Sequence, residues 1–429
     1  MGQGTFYNPL AHYMLPAAQL DFADDPGFNG QPGTLLPYGT ADLNPLDQRL
    51  AFVLPAIRVF DCMLTDTLTA PYPSATLRSQ QLESASPADL KPGGWSMTQD
   101  VQPSDASARV ERFLDRVRSI RKMLHQVIVG QDPTIDLLLT CALTGSHALL
   151  VGVPGLAKTL MVKSLASAFQ WKFNRVQFTP DLMPSDITGY ELLTRDESGT
   201  PRMSFRPGPV FSNLLLADEI NRAAPKTQSA LIEAMAEQHV TVGGQTYPLE
   251  DPFLVVATQN PIEQEGTYPL PEAQLDRFMM EIHVDYPTPQ HEEEIVMKTS
   301  GGEPKMPAPE FDRAAYLELR ELVWAAPVAQ SVASYAVKLC GSSRPGDGRA
   351  GTFINDYVGW GAGPRGSQNL VRAAKARALL EGRTTPTIDD VRAIAVPILR
   401  HRILPNHRAI GDGVTSRQIV DRLLKDVAA

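Results

Sequence analysis

Apolar residues recur at helical spacing in the segment that begins at Val110. They are Val110, Phe113, Leu114, Val117, Ile120, Leu124 and Val127, with arginines and lysines between them. This spacing is typical of an amphipathic helix. The pattern breaks at 129–131, and a second helix is predicted over 133–143. Gly145 is placed to end that helix, because glycine accepts the left-handed conformation that follows many helices.

Short apolar runs and helical patterns then alternate as far as residue 284. The predicted strands are 148–151, 175–178, 214–218, 253–258 and 280–284, and the predicted helices between them are 158–169, 225–237 and 272–278. Apolar strands that alternate with helices predict a parallel sheet covered on both faces. After Pro287 the pattern is helical to the C-terminus, apart from a glycine-rich loop at 341–351. The predicted fold class is therefore α/β, a five-stranded parallel sheet between helices, followed by an all-α domain.

Two hairpins are predicted as insertions that the sheet does not need. In the first, residues 191–194 and 203–206 flank a segment at 196–201 with the composition of a turn. In the second, residues 239–242 and 245–249 flank Gly243-Gly244. The second signal is stronger, because both central positions of a primed turn need positive φ.

The N-terminal part of the chain differs in composition from the rest. Prolines are scattered through it, Lys and Arg are sparse, and only 46–68 looks helical, with Pro55 as an interruption. We expect a mostly irregular arm over 1–104, an α/β core over 105–287 and a helical lid over 288–429. An alternative is that the natural chain starts at Met97, directly before a polar segment and the first helix.

Composition and charge narrow the class of protein. At 429 residues the chain is too long for one ordinary core. It has no basic-then-apolar leader and no apolar run of roughly 18 residues, so we expect a cytoplasmic protein without membrane insertion. The net charge of −9 argues against broad contact with nucleic acid. Cys62, Cys141 and Cys340 lack metal-ligand spacing, so they are expected to be buried packing residues.

Residues 152–159 carry the strongest chemical signal. They match the pattern G-x-x-x-x-G-K-[ST], except that Ala157 replaces the last glycine, and they lie between a predicted strand and a predicted helix. Such a loop can turn its backbone N–H groups toward phosphate oxygens, and the helix N-terminus behind it favours anions. Lys158 would neutralise phosphate charge and Thr159 would hold Mg²⁺. The alternative is a chance glycine turn.

Asp218 and Glu219 end an apolar predicted strand, which places both at the carboxyl edge of the sheet beside this loop. Asp218 would ligate Mg²⁺ directly or through water, and Glu219 would orient and deprotonate an attacking water. The alternative is an acidic helix N-terminus that follows a buried strand.

Three further residues are candidates for the same chemistry. Asn260 follows the next predicted strand and could polarise the water or a γ-phosphate oxygen, or be a turn asparagine. Arg277 ends a predicted helix and could stabilise transition-state charge in a neighbouring subunit, or pair with Asp276 on the surface. Arg365 heads a helix predicted over 369–380 and could couple the lid to the nucleotide.

These residues carry a resemblance to a known family. Segments 152–159, 178–189, 217–223 and 257–278 resemble the MoxR branch of the AAA+ ATPases, and the match extends over about 110–425. The resemblance implies an ATPase that binds ATP and Mg²⁺ and forms a ring, usually a hexamer. It assigns Lys158 and Thr159 to Walker A, Asp218 and Glu219 to Walker B, Asn260 to sensor 1, Arg277 to the arginine finger and Arg365 to sensor 2.

The resemblance also implies nucleotide contacts and partners. The implied nucleotide contacts are Val129, Gly130, Gln131, Gly152, Val153, Pro154, Gly155, Leu156, Ala157, Lys158, Thr159 and Leu160. Both hairpins are expected to face the ring pore or a client protein. Family members typically act as chaperone-like motors with von Willebrand factor A domain or DUF58 proteins, in metal or cofactor insertion or complex assembly. No family counterpart indicates what the arm does.

Two other functions compete with this interpretation. A nucleic-acid-remodelling motor related to the minichromosome-maintenance helicases would share the first hairpin and could use the lid's basic residues. These are Arg365, Arg372, Lys375, Arg377, Arg383, Arg392, Arg400, Arg402 and Arg408. Basic residues at helical spacing are usually a solvated face or subunit contacts, and the hairpin tips are not basic. The second function is that of a nucleotide-gated transcription activator, but the Gly-Ala-Phe-Thr-Gly-Ala loop by which bacterial enhancer-binding activators touch polymerase is absent from the sequence.

Overall fold

The computed structural model describes residues 103–195, 200–262, 266–300 and 311–428. Residues 1–102 of the predicted arm lie outside this description, together with the predicted helix at 46–68, Cys62 and the alternative start at Met97. The tip of the first predicted hairpin, at 196–199, lies outside it as well.

The helices and strands follow the predicted alternation. The strands are β1 (Ala148–Val151), β2 (Phe173–Gln177), β3 (Gly189–Arg195), β4 (Pro201–Pro207), β5 (Leu214–Asp218), β6 (His239–Val242), β7 (Gln245–Pro248), β8 (Leu254–Gln259), β9 (Met280–His283), β10 (Val358–Trp360) and β11 (Leu404–Pro405). The helices of the core are α1 (Pro103–Val127), α2 (Asp132–Leu143), α3 (Lys158–Ala168), α4 (Pro184–Thr188), α5 (Pro225–Glu237) and α6 (Glu272–Leu275). Those that follow are α7 (Pro289–Thr299), α8 (Arg313–Ala325), α9 (Gln330–Ser342), α10 (Thr352–Tyr357), α11 (Pro364–Leu380), α12 (Ile388–Leu399), α13 (His407–Gly411) and α14 (Ser416–Asp426).

A five-stranded sheet in the order β2-β5-β8-β1-β9 separates two hydrophobic cores. All of its pairings are parallel. In β5 the side chains alternate, so that Leu214 and Leu216 lie in one core while Leu215 and Ala217 lie in the other. Alternation along a strand thus lets a wholly apolar segment serve both layers. The predicted sheet covered on both faces is confirmed.

Each predicted hairpin forms its own two-stranded sheet. In the first, β3 pairs with β4, and in the second β6 pairs with β7 through a turn in which Gly243 and Gly244 both have positive φ. The hairpins pack on each other through Phe205 and Tyr247, whose rings stack with centroids 3.9 Å apart. They are therefore one joint feature and not two independent insertions.

The lid is helical, but it is not purely so, because β10 and β11 form a short antiparallel pair.

Other corrections concern element bounds. Strand β2 begins two residues earlier than predicted, and α11 begins at Pro364, so Arg365 lies inside its first turn. The helix predicted over 272–278 ends at Leu275, because the chain then turns to bury Phe278.

The predictions about cysteine burial and membrane-spanning segments can also be compared with the fold. Cys141 and Cys340 are buried, as predicted, and burial raises the pKa of both thiols, that of Cys340 to about 11. Among the described residues, no helix combines the length and apolar content that a membrane crossing requires.

Candidate functional site

The loop between β1 and α3 has the backbone that a phosphate-binding turn needs. Gly155 and Ala157 both have positive φ, of 85° and 55°. A side chain at Gly152 would meet the carbonyl oxygen of Val284 at 2.8 Å, so only glycine fits there without a shift. Ala157 stands where the common pattern has glycine, and it adopts the left-handed conformation at the cost of some strain.

Lys158 folds back over this loop. Its Nζ donates hydrogen bonds to the carbonyl oxygens of Gly152 and, at 3.0 Å, of Val153. Partial burial lowers the pKa of Lys158, and the negative charges of Asp218 and Glu219 act in the opposite direction. The sheet therefore brings the lysine of the loop and the two predicted carboxylates into one electrostatic environment.

A mainly apolar cavity adjoins the loop. It is lined by Gln126, Val127, Ile128, Val129, Gln131, Gly155, Leu156, Ala157, Leu160, Pro287, Ile295, Lys298 and Thr299. The side chain of Gln131 is already engaged, since Nε2 donates to the carbonyl oxygen of Asp285 at 3.0 Å and Oε1 accepts from Thr134 at 3.1 Å. An apolar slot beside a phosphate-binding turn suits a planar base, and Gln131 holds its wall in place.

Asp218 is nearly buried, and both of its carboxylate oxygens have partners. Oδ1 accepts a hydrogen bond from the Thr258 hydroxyl at 2.6 Å, and Oδ2 accepts from Arg175 Nε and Nη2 at 3.0 and 2.7 Å. Arg175 and Thr258 come from β2 and β8, the strands on either side of β5. The carboxylate is thus held on both flanks at the carboxyl edge of the sheet.

Glu219 is held by its backbone as well as by its side chain. Its φ is 56°, a left-handed value that costs a non-glycine residue energy, and its N–H donates to Thr258 Oγ1 at 2.8 Å. Its Oε2 accepts from Gln177 Nε2 at 2.6 Å and lies 3.1 Å from Arg222 Nη1. These contacts hold a carboxylate that is 22% exposed at the carboxyl edge of the sheet, where water could reach it.

Asn260 lies at the same edge, directly after β8, and is 6% exposed. Its Oδ1 accepts a hydrogen bond from the backbone N–H of Ile262 at 3.2 Å, which fixes the side chain against the following turn. The structure therefore brings the phosphate loop, Asp218, Glu219 and Asn260 together.

Arg277 and Arg365 lie elsewhere, at the opposite edge of the sheet. They line a polar depression whose other lining residues are Gly145, Ser146, His147, Met235, Ala236, Gln238, Met279, Gln368, Asn369 and Arg372. Residues 145–147 precede β1, whereas the phosphate loop follows β1, and Met279 precedes β9. Arg277, Arg365 and Arg372 bring three cationic side chains to this depression, so it suits an anion.

Asp276 links this depression to the lid. Its Oδ2 accepts a hydrogen bond from Arg365 Nη1 and its Oδ1 accepts one from Arg402 Nε, both at 2.7 Å. The side chain of Arg402 is 2% exposed. The expectation that the lid arginines form a solvated face or subunit contacts is therefore wrong for Arg402. Asp276 pairs with Arg365 and Arg402. The alternative role of Arg277, a surface pair with Asp276, is therefore wrong.

The residues at the carboxyl edge fit ATP and Mg²⁺. The described residues contain no cluster of three or more His, Cys, Asp or Glu side chains that could cage a metal. Mg²⁺ commonly binds through one or two protein groups together with substrate phosphates. Thr159 and Asp218 would be those groups, and the ion would neutralise phosphate charge. Asp218 would bind it through water or by giving up the contact with Arg175.

Several residues of the site were not found from the sequence. Arg175 and Gln177 lie in a strand with mixed polarity, two residues apart, which is the spacing that puts both on one face. That spacing predicts a shared face, but it does not indicate that this face adjoins Asp218 and Glu219. Thr258 and Arg402 gave no comparable signal, because their roles depend on strand pairing and on lid packing, respectively.

Comparisons with known proteins found matching families, relatives and a solved structure. A family model described as ATPase family associated with various cellular activities (AAA) matches residues 147–280, and one described as AAA lid domain matches 351–423. The chain is similar to chaperone MoxR1 of Mycobacterium tuberculosis, with 39% identity over 79% of this chain and 89% of the relative. It is 34% identical to protein MoxR of Paracoccus denitrificans, over 67% of this chain and 88% of the relative. The crystal structure of a protein assigned as an ATPase, from Cytophaga hutchinsonii, matches with 40% identity and a TM-score of 0.71, over 76% of this chain and 99% of that chain.

Proposed function

The chain belongs to the MoxR family of AAA+ ATPases and hydrolyses ATP, and from that premise we propose that each hydrolytic site is shared between two copies of the chain in a ring. We expect the ring to be a hexamer. One copy supplies the triphosphate-binding residues Lys158, Thr159, Asp218 and Glu219, and the next copy supplies Arg277 and Arg365.

The observation that carries the proposal is the separation of the two sets of residues. The phosphate loop and its carboxylates lie at the carboxyl edge of the sheet, while Arg277 and Arg365 lie at the amino edge, beside the residues that precede β1. Strand β1 has 4 residues and therefore spans about 13 Å. The arginines of one chain thus adjoin the end of β1 that is remote from its own phosphate loop, which supports the binding of another molecule's triphosphate in their depression.

The division of roles follows from the chemistry of each group. Glu219, held by Gln177, takes a proton from the attacking water, and Asn260 orients that water or a γ-phosphate oxygen. Lys158 offsets charge on the phosphates that it contacts, and Arg277 of the neighbouring copy offsets the charge that develops as the terminal phosphoryl group departs. Arg365, tied to Asp276, makes the lid sensitive to that charge.

The two hairpins are the proposed contact with a client protein. Leu193 and Met203 lie directly opposite each other in the first hairpin and are 70% and 54% exposed. Paired, exposed apolar side chains on a hairpin are suited to a partly unfolded or apolar client surface. We expect the motor to remodel or mature its client, with a von Willebrand factor A domain or DUF58 protein as partner and without membrane insertion or nucleic acid, and we expect it to act in the cytoplasm.

Subunit mixing tests the shared site directly. Glu219→Gln should bind ATP without turning it over yet still offer its Arg277, whereas Arg277→Ala should retain the hydrolytic carboxylate but offer no arginine. Each variant alone should be nearly inactive. Mixed in equal amounts, they should form functional interfaces at roughly a quarter of the sites of a head-to-tail ring.

The matched control is the double variant Glu219→Gln/Arg277→Ala mixed with Arg277→Ala, which should restore nothing. If the first mixture stays inactive although the subunits co-assemble, or if Arg277→Ala alone turns over ATP at the normal rate, the shared site is wrong.

A further inference from the structure

The guanidinium of Arg402 donates hydrogen bonds to the backbone of the segment that carries Arg277. Arg402 Nη2 donates to the carbonyl oxygens of Asp276 at 3.0 Å and Phe278 at 2.7 Å, and Nη1 donates to that of Met279 at 3.1 Å. These carbonyls lie on both sides of Arg277 in the chain. The backbone from 276 to 279 is therefore fixed by one side chain from the lid.

The same guanidinium binds the side chain of Asp276. The Nε to Oδ1 distance is 2.7 Å, and the other carboxylate oxygen of Asp276 accepts from Arg365 at 2.7 Å. Asp276 thus connects Arg402 to Arg365, while the carbonyl contacts connect Arg402 to Arg277. Two arginines expected to meet the same phosphate are thus both connected to a third, Arg402.

Burial explains why this arrangement is restrictive. A charged group removed from water is tolerated only when its hydrogen bonds and its countercharge are supplied by the protein. The whole residue Arg402, backbone included, is 5% exposed. Its partners are Asp276, the three loop carbonyls, the carbonyl oxygen of Ile398 and the ring of His401. If the loop changed shape, this charge would lose its partners, so the loop conformation is strongly favoured.

We propose that Arg402 is a positioning residue that sets the direction of Arg277 and, through Asp276, of Arg365, so that both reach the ATP of the neighbouring copy. It does not touch ATP itself. This inference rests on the proposed shared site, and it adds that the lid of the arginine-donating copy, and not that of the ATP-holding copy, governs the rate.

The subunit mixture provides the test, because it separates the two positions that Arg402 can occupy. We call the copy that supplies Arg277 the donor and the copy that holds ATP the acceptor. To change Arg402 in the donor, Glu219→Gln/Arg402→Met is mixed with Arg277→Ala. To change it in the acceptor, Glu219→Gln is mixed with Arg277→Ala/Arg402→Met. A misplacement of about 1 Å can cost on the order of 100-fold in rate, so we expect the donor change to lower kcat by roughly 10- to 100-fold. The KM for ATP should stay unchanged, because the lost contact belongs to the transition state.

The acceptor change should leave the rate within about two-fold, since the Arg277 of that copy is already absent. A merely structural role for Arg402 would lower the rate equally in both positions. Equal losses, or no loss in the donor position, overturn the proposal. If the parent mixture itself restores no activity, the shared site fails, and that outcome is separate from a loss of asymmetry.

A second variant keeps the test decisive if Arg402→Met does not assemble. Asp276→Asn preserves the shape of the side chain and removes the charge that pairs with Arg402 and Arg365. It should show the same donor-specific loss, and equal effects in both positions overturn the proposal. The control is Arg383→Met, which removes another lid arginine whose Nη1 donates to Asp390 at 2.7 Å, and it should leave the mixture active in either position.

Discussion

Thr258 is the residue on which both predicted carboxylates depend, and replacing it by valine tests that dependence. Its hydroxyl donates to Asp218 at 2.6 Å and accepts from the N–H of Glu219 at 2.8 Å, and the residue is 1% exposed. Valine has nearly the same shape, so Thr258→Val removes two hydrogen bonds without opening a cavity. Thr258→Ser is the matched control, because it keeps the hydroxyl and removes only a methyl group.

The magnitude follows from what is left unpaired. A buried donor without a partner costs about 1–3 kcal/mol, and the lost bond to a carboxylate is worth about 1.5–3 kcal/mol. Asp218 keeps Arg175 on its other oxygen, so its loss should not exceed that range. We therefore expect Thr258→Val to lower the free energy of unfolding by about 2.5–6 kcal/mol, whereas Thr258→Ser should cost about 1 kcal/mol.

The same substitution should separate hydrolysis from binding. Without the hydroxyl, nothing in this contact holds Glu219 at its left-handed φ of 56°, so its carboxylate should point away from the water that it must activate. We expect kcat to fall at least 10-fold with ATP affinity nearly unchanged, measured by steady-state ATPase assay, equilibrium nucleotide binding and urea unfolding. If Thr258→Val matches Thr258→Ser in stability and turnover, the bridging hydroxyl is not what positions Glu219.

Three further outcomes are expected. Glu219→Gln should bind ATP yet lower turnover by about 10²- to 10⁴-fold, and normal phosphate release by this variant would remove Glu219 as the base. Gly152→Ala should weaken ATP binding and lower the free energy of unfolding by about 1–3 kcal/mol, because its Cβ would lie 2.8 Å from the backbone of Val284, and equilibrium unfolding checks this. Burial lowers the pKa of His147 from 6.5 to about 4, so the unfolded chain takes up the proton first. This contribution to stability, on the order of 3 kcal/mol, is present above pH 6.5 and is lost as the pH falls toward 4, and His147→Gln should flatten that part of a pH titration of unfolding.

The parts of the site that the sequence could predict are those whose chemistry is local. The phosphate loop is contiguous, and its glycines and Lys158 follow one another within eight residues. Asp218 and Glu219 end an apolar run, and parallel strands bring such ends to one edge. The sequence pattern and the geometry of a parallel sheet were therefore enough to predict that these residues lie close together.

The parts that could not be predicted depend on partners distant in the chain. Arg175 pairs with Asp218 because β2 and β5 are adjacent and in register, with Arg175 opposite Leu216 and Gln177 opposite Asp218. Register between strands 40 residues apart leaves no mark in either segment alone. Arg402 lies three residues after the end of α12. Nothing in its own segment distinguishes a buried guanidinium from an exposed one.

The placement of the two edges also bears on the kind of assembly. Strand β1 pairs with β9 over four positions, from Ala148 with Met280 to Val151 with His283. One end of this strand pair leads into the phosphate loop, and the other end adjoins Arg277. The two surfaces are different and lie on opposite edges, so joining them requires a head-to-tail contact, which closes into a ring when the rotation allows it. A two-fold dimer that placed like edges together would leave each triphosphate without arginines, and such a dimer should be a poor ATPase.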